Sequence, residues 1–168
     1  MPNTISSKFE YFATPIGELA IEWNDAGLLA VTIAGNPVTQ HGGNQKTNRR
    51  VSSPYHAAFS AYFAGDIHAL AEIPTVFRGT AFQNQVWAGL RTIPPGETLS
   101  YAALARRIGR PNSARAVGSA NGKNPLCIVV PCHRVIGADG SLAGFSAGPE
   151  KKRWLLQHEG AAFRDTTT

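Results

Sequence analysis

Cysteine is nearly absent from this chain: of 168 residues only Cys127 and Cys132 carry a thiol. So few thiols exclude a disulfide-rich secreted scaffold, and their spacing offers neither a Cys-x-x-Cys pair nor the second ligand pair of a zinc site. A disulfide between them would fold a predicted strand back on itself, so both are expected to be free thiols. No stretch reaches the roughly 18 to 20 apolar residues that span a bilayer, and Met1 to Lys8 shows no basic segment leading into an apolar one. No membrane role is expected, and the expected location is cytoplasmic. Acidic side chains are also scarce, 11 against 16 Lys and Arg, which leaves a net charge of +5. That balance suits a polyanionic partner such as nucleic acid. A Gly-rich phosphate loop, a dinucleotide fingerprint and an internal repeat are all missing, and no cofactor or metal is expected.

What is present reads as an α+β protein in two parts, 1–78 and 79–168. In the first, Leu19, Ile21 and Trp23 alternate before Asn24-Asp25-Ala26-Gly27, and Leu29, Val31 and Ile33 alternate after it, which is a hairpin pattern within residues 9–34. Residues 35–53 turn to Gly, Asn, Gln and Thr and read as a surface loop. Tyr55, Ala58, Phe59, Tyr62 and Phe63 recur at helical spacing over 54–64, with Gly65 placed to end that helix. A short strand is expected over Ala69 to Ile73.

The second part is helical. Thr80 and Gln83 fit a capping box, and Phe82, Val86, Trp87 and Leu90 follow on one face. Pro94-Pro95-Gly96 stops that helix. Ser100 can cap another through Ile108, buried along Tyr101, Leu104, Ala105 and Ile108, before Gly109-Arg110-Pro111 breaks it. Asn112 or Ser113 can cap a further helix from Ala114 to Ala120, and the pair has helix-turn-helix spacing. Ser113, Ala114, Ala116, Gly118, Ser119 and Ala120 are small, so this helix can approach another surface closely, either a neighbouring helix or a nucleic-acid groove. Arg115 alone projects near its start, which favours reading shape over reading base edges. Arg106, Arg107, Arg110 and Arg115 form one basic cluster, and Lys151, Lys152 and Arg153 a second near the start of a last helix. There they sit at the positive end of the helix dipole, which points to an external anion unless they form a solvated face.

Function should lie in Pro131-Cys132-His133-Arg134, which interrupts the apolar run Ile128 to Ile136. A buried apolar strand has no use for a thiol flanked by two potentially cationic side chains, whereas a nucleophilic cysteine does, because only the thiolate attacks. With Ser100-Tyr101, Arg115-Ala116-Val117-Gly118, Asn121-Gly122-Lys123-Asn124-Pro125, Trp154-Leu155-Leu156 and His158-Glu159-Gly160, in that order, the segment Phe82 to Gly160 resembles the catalytic half of the O6-alkylguanine-DNA alkyltransferases. The first residues resemble that family more weakly, through Thr14 to Leu19 and Tyr62 to Gly65, and imply its ribonuclease-H-like N-terminal domain. The zinc of some relatives is not expected, because this half has no cysteine.

The resemblance implies direct-reversal DNA repair, with Cys132 taking the alkyl group from guanine O6 once and irreversibly; O4-alkylthymine as a further substrate is left open. His133 would take the thiol proton, directly or through water, and Glu159 would hold the imidazolium. Asn124 would brace the active-site turn and Tyr101 would donate to the departing guanine. Arg115 would fill the gap left by an everted base, on a minor-groove helix whose small face is Ser113, Ala114, Ala116 and Gly118. Phe145, Ser146 and the backbone near Val135 would line the base pocket, and Cys127 is expected to be an inert core residue. The implied partner is double-stranded DNA, bound with little sequence specificity by a monomer. Two departures stand out. Phe145 and Ala147 occupy a loop where many relatives have a tyrosine and a Gly-Gly pair, and Ser119 replaces a usual Gly or Ala. A non-catalytic lesion-binding helix-turn-helix protein and a thiol hydrolase are the competing readings.

Overall fold

The computed structural model describes residues 7–34 and 52–165; the loop expected over 35–53 lies almost wholly outside them. Strands β1 (Lys8–Thr14), β2 (Gly17–Asn24) and β3 (Gly27–Ile33) form an antiparallel sheet in that order. The hairpin pattern holds: Leu19, Ile21, Trp23, Val31 and Ile33 are all buried. At the turn Asn24 Oδ1 accepts from Ala26 N at 2.8 Å and Gly27 N at 3.3 Å. Gly27 has φ 148°, and a Cβ there would meet the Pro74 carbonyl oxygen at 2.7 Å, so only glycine fits. Helix α1 (His56–Phe63) lays Phe59 and Tyr62 into the core. Glu10 ties β1 to it by accepting from Ser53 N at 2.8 Å and pairing with His56.

The expected strand over Ala69 to Ile73 is absent. The chain there makes i to i+3 turns, and Arg91 takes the Ala71 and Ile73 carbonyls at 3.0 Å each, acceptors a strand would have offered to a neighbour. Thr75 instead bridges to Leu28 on β3.

Helix α2 (Ala81–Leu90) begins with the anticipated capping box, Thr80 and Gln83 bonding reciprocally. Strand β4 (Leu99–Ser100) leads into α3 (Tyr101–Arg107), whose N-cap Ser100 accepts from Ala103 N at 3.1 Å. Arg110 N to Ala105 O at 2.8 Å and Gly109 N to Arg106 O at 3.0 Å close α3, with Gly109 left-handed at φ 76°. Helix α4 (Ala114–Gly122) follows, although Ser113 at its N-cap makes no side-chain capping bond. Trp87 on α2 donates its indole N–H to Ala120 O at 2.9 Å and fixes the depth of α4. A 3-10 turn (Cys132–Arg134) runs into β5 (Val135–Ile136), which pairs in parallel with β4, and α5 (Pro149–His158) closes the fold.

The apolar run before Cys132 is not the strand its composition predicts. Ile128 is left-handed at φ 74°, Val130 N bonds Leu126 O at 2.9 Å, and the segment turns back on itself. Beyond this turn lies the sheet: Val31 N on β3 donates to Pro125 O at 2.9 Å, and Leu126 bridges to Val31. Core residues of the sheet, α1, α2, α4 and Cys132 itself join one continuous cluster.

Candidate active site

The backward turn sets the position of Cys132. Asn124 spans it from inside, donating to Val130 O at 2.8 Å while its Oδ1 accepts from Leu126 N at 2.9 Å. Asn124 is only 2% exposed, so losing either bond would strand a buried polar group. The thiol of Cys132 is buried but borders a cavity of about 380 Å³, with Tyr101, Asn124, Cys127, Phe145 and Ser146 in its wall. Helix α4 supplies Gly118, Asn121 and Gly122 to the same wall, so the thiol and the second helix of the pair share one opening.

The thiolate form of Cys132 is stabilised relative to an ordinary thiol, by groups other than its cationic neighbours in sequence. A hydrogen bond with the Cys127 thiol is the foremost cause, followed by one from Asn124 and the charge of Lys152; together they hold its pKa below the ordinary thiol value against the opposing effect of burial. Cys127 is thus a core residue, as expected, that also reaches the cavity wall and partners the Cys132 sulfur. The same backward turn removes the geometric objection to contact between the two thiols.

Arg134 turns away from the thiol. Its Nε and Nη2 donate to Glu159 at 2.9 and 2.8 Å, and its Nη1 donates to Ile93 O at 2.6 Å. His133 is fully buried and meets Glu159 Oε1 through Nε2 at 2.9 Å, while its Nδ1 has no hydrogen-bond partner among the described residues. Burial pushes the His133 pKa below its usual value despite Glu159. Burial would raise Glu159, but His133 first, and then the permanently charged Arg134, hold its carboxyl well below the usual carboxylate range. A neutral imidazole bound to an ionised carboxylate is the consistent pairing.

The basic group on α5 is no external anion site. Lys152 is buried, and its Nζ donates to Val135 O and Ala143 O at 2.6 Å each, joining β5 to the loop that carries Phe145 and Ser146. Burial draws its pKa down to about 8. Lys151 bonds the Ala34 carbonyl and Arg153 pairs with Asp165 at 3.1 Å. Lys152, Leu155 and Leu156 on one buried face of α5, and Glu159 just past its end, fall at helical spacing, a periodicity that could have marked Lys152 as interior.

The remaining candidates are divided. Tyr101 stands at the cavity, its pKa raised by burial and by Cys132, so it stays a protonated donor. Ser146 lines the cavity and donates its hydroxyl to Gly122 O at 2.9 Å. Val135 is not in the wall, and its carbonyl is occupied by Lys152. On α4, Arg115 and Ala116 are exposed along with Ser119, whereas Ser113, Ala114 and Gly118 are half-buried. Gly118 faces Tyr101, where a Cβ would come within 3.5 Å of the ring, so it shapes the cavity more than an outer face.

A methylated-DNA-protein-cysteine methyltransferase of Shigella flexneri is 41% identical over 166 residues, covering 90% of this chain and 94% of that protein. The chain belongs to the methylated-DNA-protein-cysteine methyltransferase family. Residues 81–161 match the family model "6-O-methylguanine DNA methyltransferase, DNA binding domain". A Mycobacterium bovis methyltransferase of this name is 54% identical over 100 residues, 60% of each chain. Among solved structures, Mycobacterium tuberculosis OGT in complex with DNA superposes with a TM-score of 0.73 at 36% identity, covering 90% of this chain and 92% of that one. The family fold is present throughout: an N-terminal domain of sheet and helix precedes a mostly helical domain with a helix-turn-helix.

Proposed function

We propose that this methyltransferase-family protein repairs DNA by direct reversal, moving the alkyl group of O6-alkylguanine onto Cys132. The observation that carries this reading is a thiol held below its ordinary pKa at the wall of a cavity that α4 also borders. In the reaction a sulfur-carbon bond forms as the carbon-O6 bond breaks. The thiol proton passes through one water to His133 Nδ1, the buried nitrogen without a partner among the described residues, and Glu159 steadies the imidazolium. Tyr101 donates to the departing purine, whose charge is delocalised into its ring. The thioether is chemically stable, so one molecule acts once.

A base inside the duplex cannot reach this cavity, so it must be turned out of the stack. Helix α4 enters the minor groove, and Arg115, exposed at its first turn, fills the gap. With only small residues beside Arg115 on that face, contact is to shape and backbone, with little sequence preference. The protein works as a monomer. Intact-protein mass spectrometry after incubation with duplex DNA containing O6-methylguanine should show one methyl-sized increment mapping to Cys132, and none in Cys132→Ser, which still binds DNA. No increment, or one on Cys127, would overturn the assignment.

A further inference from the structure

Glu159 is held by a residue from the other end of the chain. The Tyr62 hydroxyl, on α1, donates to Glu159 Oε1 at 2.8 Å across 97 positions of sequence. The same oxygen meets His133 Nε2 at 2.9 Å and Arg134 Nη2 at 2.8 Å, while Oε2 accepts from Arg134 Nε at 2.9 Å. Tyr62 thus binds the atom that orients the imidazole.

The phenol is fixed in place. Tyr62 is fully buried, edge-on to Phe63 and His158 with ring centroids 5.2 and 5.1 Å away, and its carbonyl is hydrogen-bonded to His158 Nε2 at 2.6 Å. Packing alone would be served by phenylalanine, since a buried hydroxyl is costly unless it is bonded. Burial, then the nearness of Glu159, raises the Tyr62 pKa, so its proton stays on the phenol and only the hydrogen bond is given.

We propose that Tyr62 is a positioning residue for alkyl transfer: its hydrogen bond aligns Glu159 with His133 and draws off part of the carboxylate charge, which keeps the imidazole neutral and ready for the Cys132 proton. This rests on the relay proposed above. The charged and titratable groups facing His133 are Lys152 from α5, Glu159 from the cap that ends α5, and Arg134 from its own turn, and Tyr62 reaches it through Glu159. Each donor to a carboxylate spreads its charge. Without the Tyr62 hydroxyl, more of that charge acts on His133 and favours the imidazolium, which can accept no proton.

The test is the single-turnover rate of methyl transfer from O6-methylguanine duplex DNA as a function of pH, using the full chain. In Tyr62→Phe the plateau rate should fall about tenfold, and the inflection of the acid limb should rise by about half a pH unit or more, with DNA affinity unchanged. Replacing Tyr62 by 3-fluorotyrosine, a stronger donor of nearly the same size, should move the inflection the other way and does not depend on Tyr62→Phe folding. An unmoved inflection in the fluorotyrosine protein overturns the proposal, even where Tyr62→Phe is slower, because a packing role slows the reaction without shifting its pH dependence. His133→Gln separates the two levels. If the acid limb survives that change, the relay itself falls; if it vanishes while the Tyr62 proteins stay unmoved, only the role of Tyr62 falls.

Discussion

Behind Cys132, the side chains of His133, Arg134, Lys152 and Glu159 are buried and bonded to one another or to backbone carbonyls, whereas in front of it Tyr101, Phe145 and Ser146 line a cavity, and among the described residues only Ser146 of these three makes a side-chain hydrogen bond. The difference follows from what each side must do. A proton acceptor has to stay in one place, and a buried ionic network gains that rigidity at the risk of large losses when one member goes. A cavity that admits a base has to leave its polar groups available, so its residues hold little of the fold's stability. Changes behind the sulfur should therefore cost stability as well as rate, and changes in front should mainly slow the reaction.

The largest effect should come from Glu159→Gln, which leaves Arg134 buried without its counter-charge and should cost about 3 to 5 kcal/mol of stability, read from the urea midpoint. The same carboxyl sets the acid response. Its folded pKa lies below the unfolded value of about 4.3, so its contribution is complete above that value and is lost as pH falls through the folded one. The wild-type urea midpoint should drop as the medium is acidified below about pH 4.3, and Glu159→Gln should flatten that slope; equal slopes would remove the carboxylate from the account. Next, Tyr101→Phe should leave the midpoint within about 0.5 kcal/mol while slowing methyl transfer roughly a hundredfold. A large stability loss there would erase the contrast between the two sides. Arg115→Ala should lower the rate on duplex DNA about tenfold and leave reaction with the free base O6-methylguanine unchanged; equal losses on both would remove Arg115 from base extrusion. Smallest of all, Phe145→Tyr should change the rate on O6-methylguanine by less than about twofold, since the stacking face is kept.

Much of this was legible in the residues. The alternation around Asn24 to Gly27, the Thr80 and Gln83 box and the Gly109 break each act within a few positions, and each recurs in the structure as read. What escaped was decided at long range. The run before Cys132 is strand-like in composition, yet Asn124 and the edge of β3 impose a left-handed Ile128 on it. Arg134 reads as a cation for the thiol until Glu159, 25 positions on, is seen to claim it. Lys152 looked solvent-facing among charged neighbours, and Tyr62 looked like packing, because the partners that explain them come from other elements.

The bond from Val31 to the Pro125 carbonyl has a mechanical meaning. Cys132 hangs from the hairpin like a hook from a beam, through a turn that includes a left-handed isoleucine, a conformation that costs roughly 1 to 2 kcal/mol. A shim inserted in the beam, such as a residue added to β3, would swing the sulfur out of line without touching a single group around it.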